Sequence, residues 1–336
     1  MKVCGVIVTY GDRFHLLSQV IDGLRKEMID EIIVVDNGSS NAAQQKLNDY
    51  KLNRCPGLII HRFEQNNGTA KAFKTGIEQA IKTYCGFIWL MDDDTLPEVG
   101  SLAHLKKTWE SLYKNQNEKS LALCSYRNDR PNFVKAAANN DANAVLPLKN
   151  NFAGFHLKSF FSKIRERILP TRQNSANQAK ELVKINAASY GGLFFHKDLI
   201  GRIGLPDESY YLYVDDFDFS LRIKNNGGEI LLVTKSILHD LENSFYLPSK
   251  KKVLYHSAFD SAKDSSAYYA IRNTIYFSKT YLLSNKGMYL MNRTFFLIFI
   301  TTLGFLRGKF HRLRVIKSAI RNGESGKLGF NPEYKI

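Results

Sequence analysis

The first hundred residues alternate short, almost wholly apolar runs with segments whose apolar residues recur at helical spacing. Val3–Tyr10 reads as a strand, Phe14–Lys26 as a helix and Ile32–Val35 as a strand that stops at the turn Asp36-Asn37-Gly38-Ser39. Gly57–Arg62 then reads as a strand, Thr69–Tyr84 as a helix and Gly86–Met91 as a strand. This alternation predicts an α/β fold, a mostly parallel central sheet flanked by helices. Ligands of such sheets bind beyond the carboxyl ends of the strands.

From about Ser125 to Lys184 the texture changes to Asn, Ala and Lys with little apolar periodicity. An inserted loop region over the site is expected there, carrying the basic residues Lys163, Arg165 and Arg167. Regular patterning resumes at Ile185, passes through an acidic stretch around Asp215 and a strand at Glu229–Leu238, and turns helical from about Val253. The expected organisation is a catalytic domain over residues 1–250 followed by a C-terminal helical region over 251–336. Between Arg307 and Arg321 six basic residues and no acidic ones accompany an apolar stripe of Leu306, Phe310, Leu313, Ile316 and Ile320. Two readings fit that helix: it lies in an anionic membrane interface, or it packs its stripe on the catalytic domain. The longest apolar run, Phe295–Leu306, has 12 residues, against the roughly 20 that span a bilayer, so no transmembrane helix is expected. The N-terminal MKVCGVIVTYGD meets Asp12 before a signal-peptide core is complete and reads as a strand.

Charge narrows the partners. Over 336 residues, 47 Lys+Arg stand against 32 Asp+Glu, a net +15, which points to nucleic acid, anionic lipid or a phosphorylated substrate. Nucleic-acid binding is the weaker alternative. The chain lacks the aromatic-basic RNP pattern, zinc-finger spacing and a basic heptad region, and sets carboxylates where a phosphate backbone would be repelled. Cys4, Cys55, Cys85 and Cys124 form no CxxC pair, which suits a reducing cytosol.

Candidate chemistry gathers at carboxylates. Asp92-Asp93-Asp94 directly follow the apolar GFIWLM, where three adjacent like charges repel unless a cation joins them. Alternation lets Asp92 and Asp94 face one ion while Asp93 points elsewhere. A solvated acidic turn that caps the next helix is the competing structural reading. In the second cluster, Asp215 reads as an N-cap and Asp218 pairs with Arg222 four residues on, which leaves Asp216 to accept a proton. There too the competing reading is structural, three carboxylates at a positive helix end. His239 ends a strand and is a third-ligand candidate that would favour manganese, against an ordinary structural histidine. Asp36 sits where a turn could present it to a nucleoside. Neither GxGxxG nor GxxxxGK[ST] occurs, so phosphates would need a metal.

In order and spacing, VIVTY, VVDNGS, NNGTAKAFKTGI, WLMDDDT, GGLFF, VDDFDFSLR, His239 and YYAIRN resemble inverting family 2 glycosyltransferases of GT-A fold. The nearest likeness is to galactofuranosyltransferases and rhamnosyltransferases of bacterial surface polysaccharides, such as O-antigen in the cell envelope. The resemblance implies that Asp92, Asp94 and His239 bind Mn2+ or Mg2+, that Asp216, with Asp215 beside it, is the catalytic base, and that Thr9, Asp36, Asp93, Gly191 and Gly192 serve the donor. Arg272 and Asn273 fall near the family's active site without an assigned role. It further implies a UDP- or dTDP-linked sugar donor, UDP-galactofuranose first and dTDP-rhamnose as the alternative. The acceptor would be a glycan, polyprenyl-diphosphate-linked in the membrane reading, and the expected location is cytoplasmic, peripheral at the inner face of the membrane.

Overall fold

Seven consecutive residues of β1 (Val3–Gly11) are buried, because neighbouring strands and helices on both faces leave no side for solvent. The computed structural model of the chain describes residues 1–113, 120–168, 180–242, 259 and 263–335. The chain divides into two units, Met1–Val145 with Gln178–Glu208 and Asp215–Leu247, and Leu146–Asn177 with Ser209–Val214 and Pro248–Ile336.

In the first unit β1 is followed by α1 (Phe14–Lys26), β2 (Glu31–Ser39), α2 (Asn41–Arg54), β3 (Ile59–Phe63), α3 (Thr69–Lys82), β4 (Phe87–Asp92), β5 (Thr95–Pro97), α4 (Ser101–Tyr113), β6 (Leu121–Tyr126) and α5 (Pro131–Asn139). After α6 (Leu157–Ile168) of the second unit come β7 (Leu182–Ile185), β8 (Leu193–His196), α7 (Ile200–Ile203), α8 (Asp215–Asn225) and β9 (Glu229–Asp240). The strand order is β3-β2-β1-β4-β8-β6-β9-β5, with β7 also on β9. Pairing is parallel from β3 to β4, as the alternation in the sequence predicts. Beyond β4 the sheet is mixed: β8 runs antiparallel to both β4 and β6, β6 and β9 are parallel, and β5 and β7 are antiparallel to β9. Helix α2, absent from the sequence reading, buries only Ala43, Leu47 and Tyr50, a stripe too sparse to stand out. Ser40 starts it by accepting the Ala43 N–H at 3.2 Å.

The expected insertion holds the end of β6, then α5 and α6, and the start of β7, while residues 169–179 lie outside the described residues. Of the helical region expected from Val253, residues 253–258 and 260–262 likewise lie outside them.

The second unit holds α6, α9 (Asp264–Phe277), α10 (Lys286–Leu306) and α11 (Phe310–Ser325) around Phe152, Tyr268, Tyr269, Phe296 and Ile316. Helix α10 has 21 residues and is long and apolar enough to cross a membrane, where the sequence reading expected an apolar run of 12 residues. The run grows because Met288–Met291 and Asn292–Thr294 join it in one helix. Only 28% of its apolar window is buried, and the buried positions Tyr289, Asn292, Phe296, Ile300 and Gly304 form a single stripe against the core.

Candidate active site

Strand β4 ends at Asp92, and Thr95 closes the turn that follows, its hydroxyl accepting the Asp92 N–H and donating to the Asp92 carbonyl, both at 3.0 Å. The turn sends the three carboxylates to different partners. Asp93 is buried, accepts the Thr9 hydroxyl at 2.7 Å, and meets Nε of Arg13 at 3.0 Å from each of its oxygens. Burial outweighs these partners and pushes its carboxyl up to about 7. Asp94 accepts the other end of the same guanidinium at 3.0 Å. Asp92 keeps 37% of its side chain open to solvent, yet protein surrounds it closely enough that burial, and then the charge of Asp94, push its carboxyl up to about 6.

Arg127, at the end of β6, answers this negative charge from within: 1% exposed, it lies 3.5 Å from Asp92 and donates to Asp240 at 2.9 Å. Arg130 approaches the same Asp240 oxygen at 3.5 Å.

Helix α8 carries the second acidic pair. Asp215 is buried and accepts the Thr69 hydroxyl at 2.9 Å; burial, and then its neighbour's charge, raise its carboxyl well above the ordinary range. Asp216 accepts the Phe217 N–H at 2.8 Å, and its carboxyl is pushed up to about 7, chiefly by burial. The positive helix end would favour the charged form, by about 1 kcal/mol at most for an exposed group, so burial wins here. The charge of Asp92 is among the causes raising Asp216, and that of Arg130 among those lowering it. The two acidic clusters therefore lie within one electrostatic neighbourhood. Farther along α8, Asp218 pairs with Arg222 at 3.1 Å, as their spacing predicts. Ser220 exchanges hydrogen bonds with both backbone groups of Ala188 at 2.9 Å, tying α8 to the chain leading into Gly191. At Gly191 a Cβ would fall 2.4 Å from Asp92 Oδ2, so the missing side chain is the room the carboxylate occupies. Gly192, at φ +100°, turns the chain into β8 and passes close to Ser125.

Two expected site residues are placed differently. Asp36 is fully buried, with its oxygens accepting the Ser39 N–H at 2.9 Å and the Arg62 Nε–H at 3.1 Å, instead of being held out on a turn. His239 is not brought to the aspartates. Strand alternation turns it to the side away from Asp240, where it meets Glu98 at 3.1 Å. Among the described residues no group of three His, Cys, Asp or Glu converges as a ready-made metal cage. The carboxylates of Asp92 and Asp94 offer the hard oxygen donors a divalent cation takes, and the repulsion between them is the kind a dication relieves. Magnesium-type sites commonly take only one or two carboxylates, with phosphate oxygens completing the shell.

Comparison with known proteins bears on the same residues. The family described as "Glycosyl transferase family 2" matches residues 5–160, a span that includes Thr9, Asp36 and Asp92–Asp94. The matched span is 156 of 336 residues, just under half of the chain, and together with the chain's relatives it supports a glycosyltransferase. This glycosyltransferase is 22% identical, over 85% of its length and 84% of the relative's, to galactofuranosyltransferase GlfT1 of Mycolicibacterium smegmatis. Among solved structures it resembles S. aureus TarS 1–349 in complex with UDP-GlcNAc, with TM-score 0.51 and 15% identity over 96% of this chain and 81% of that one. It also resembles GalNAc-T7 with UDP, GalNAc and Mn2+, with TM-score 0.51 and 15% identity over 76% of this chain. It spans 46% of the GalNAc-T7 chain. These likenesses establish the GT-A fold. Sequence reasoning missed Arg13, Arg127 and Arg130, the glycosyltransferase's counter-charges; the only trace was two arginines three apart in Arg127-Asn128-Asp129-Arg130, within a stretch lacking periodicity.

Proposed function

We propose that this glycosyltransferase is cation-dependent and inverting, and moves galactofuranose from UDP-galactofuranose to a hydroxyl of a saccharide or lipid-linked glycan in bacterial surface polysaccharide synthesis. What carries this reading is that Ser220 ties α8, with Asp216 at its start, to the segment from Ala188 to Gly191 that runs against Asp92, one carboxylate suited to accept a proton and the other to face a diphosphate. The relative named a galactofuranosyltransferase supports the choice of sugar.

Asp92 and Asp94 would hold Mn2+ or Mg2+, which when bound offsets the charge gathering on the leaving diphosphate. The room at Gly191 lets Asp92 lie against the backbone, and Arg127 keeps Asp240 engaged. The Phe217 N–H fixes one oxygen of Asp216. Its carboxylate takes the proton of the acceptor hydroxyl as that oxygen attacks the anomeric carbon opposite the diphosphate. A base with a pKa near 7 is well matched to neutral pH, and help of this kind gives roughly 10²- to 10⁴-fold.

The lipid-linked acceptor places the enzyme at the inner face of the cytoplasmic membrane. On α10 the side opposite the buried stripe exposes Leu290, Ile298, Phe305 and Leu306, and α11 adds exposed Arg314, Lys317 and Arg321. In a vesicle assay with anionic lipid, Arg314→Glu with Lys317→Glu should weaken binding, each lost cation costing about 1 kcal/mol, near fivefold. Unchanged affinity would discard the membrane reading.

For the reaction, the test is incubation of purified protein and Mn2+ with a panel of nucleotide sugars. UDP-galactofuranose should be consumed, and consumption should fall away with Asp92→Asn. Consumption of dTDP-rhamnose instead would reassign the sugar, and an inert panel would overturn the reading.

A further inference from the structure

In the second unit Arg272 and Asn273 of α9 are both buried, and their hydrogen bonds converge on one stretch of backbone, Ser209–Val214. Asn273 Nδ2 donates to the carbonyls of Tyr210 at 2.8 Å, Leu212 at 2.7 Å and Tyr213 at 2.9 Å. The Arg272 guanidinium donates to Tyr210 at 3.0 Å and to Gly329 at 2.6 Å, and its Nε–H donates to Asn273 Oδ1 at 2.8 Å, which orients the amide. Tyr269 packs against Tyr211 with ring centres 5.0 Å apart and planes tilted by 44°, and carries the Arg272 guanidinium 4.8 Å from its ring centre. Gly329 in turn donates to the Ser209 carbonyl at 2.6 Å.

The stretch so held is strained. Tyr211, Tyr213 and Val214 have φ of 65°, 67° and 69°, a left-handed conformation that is costly for side-chain-bearing residues and most of all for β-branched valine. Such residues persist only where their surroundings over-determine them. The next residue in the chain is Asp215, and the one after it Asp216.

We infer that Arg272 and Asn273 are positioning residues for the base: they hold the backbone before α8 in its left-handed course and so fix the direction in which Asp216 leaves it. This rests on the reading of Asp216 as the base. It accounts for an arginine and an amide buried in a helix and directed at main-chain carbonyls, where apolar side chains would have packed the same core at lower desolvation cost.

The test compares Asn273→Ala, Asn273→Ala with Val214→Gly, and Asp216→Asn, using UDP-galactofuranose with Mn2+ for turnover and UDP with Mn2+ for calorimetric binding. Misplacement of a reacting group by about 1 Å costs on the order of 100-fold. Asn273→Ala should therefore lower kcat about 10- to 100-fold while KM for the donor and Kd for UDP stay within about twofold. Glycine at 214 adopts the left-handed conformation without the clamp, so the double variant should recover several-fold of the lost kcat. Unaltered kcat in Asn273→Ala, a parallel loss of kcat, UDP binding and thermal stability, or no recovery in the double variant would overturn the inference. Should Asn273→Ala fail to fold, Asn273→Gln, which keeps the amide but moves it by one methylene, is read against the same outcomes. If Asp216→Asn retains kcat, the assignment of the base fails; if it loses kcat while Asn273→Ala does not, only the positioning role fails.

Discussion

The two acidic clusters are built from the same residue but kept in opposite company. Asp92, Asp93 and Asp94 lie among guanidinium groups: Arg13 bridges Asp93 and Asp94 at 3.0 Å, and Arg127 stands 3.5 Å from Asp92. Asp215 and Asp216 are held instead by neutral donors, the Thr69 hydroxyl and the Phe217 N–H. The arginines offset part of the repulsion among carboxylates packed close together, although burial still pushes Asp92 up to about 6 and Asp93 up to about 7. Burial dominates at Asp216 as it does at Asp93, and Asp216 binds its proton more tightly than a free carboxylate; what sets the clusters apart is that guanidinium groups engage the first and neutral donors the second. Environment more than residue type separates the two assignments.

Breaking the contrast at Asp216 should produce the largest effect. Asp216→Asn keeps the shape and removes the base, so kcat should fall roughly 10²- to 10⁴-fold while UDP binding measured by calorimetry persists. Asp92→Asn should do the reverse, abolishing the Mn2+ dependence of UDP binding and with it turnover, on the order of 100-fold in kcat/KM. The pH profile sharpens the contrast next. With Asp216 titrating near 7, kcat should climb about tenfold per pH unit below that value and level off above it. The sign for stability is opposite. Its folded-state pKa lies above the ordinary 3.8, so the stability tied to its proton is full at acid pH and is lost as pH rises toward 7. Asp216→Asn should accordingly raise Tm at pH 8 and leave it nearly unchanged at pH 4. Gly191→Ala pushes only on the end of the Asp92 side chain, so the fold should tolerate it while Mn2+ affinity drops about tenfold, as supporting-group changes at metal sites do. Least of all, Thr69→Val removes one neutral hydrogen bond from buried Asp215 and should cost about 1 kcal/mol in denaturant unfolding.

Much of this site was legible in the chain because its signals are local. The apolar run before Asp92 and the acidic start of α8 each lie within a dozen residues, and the Asp218–Arg222 pair followed from helical spacing alone. Asp36 and His239 were misplaced for the same reason. Neighbours at a turn or a strand end do not reveal that Arg62 will draw Asp36 inward, or that the pairing of β9 with β5 will turn His239 toward Glu98. Arg127 had no periodic neighbourhood to announce it.

The order of strands and helices, the carboxylates at their ends and the basic C-terminal helix were determined by sequence alone, since backbone periodicity and charge spacing act over a few residues. Tertiary structure alone decided which arginine meets which aspartate, which carboxylates bind protons above the ordinary range, and that an Arg-Asn pair late in the chain grips the backbone before α8. Those outcomes depend on burial and on contacts between residues up to more than a hundred positions apart, such as Arg127 and Asp240, and the cost of burying a charge is set by everything that surrounds it.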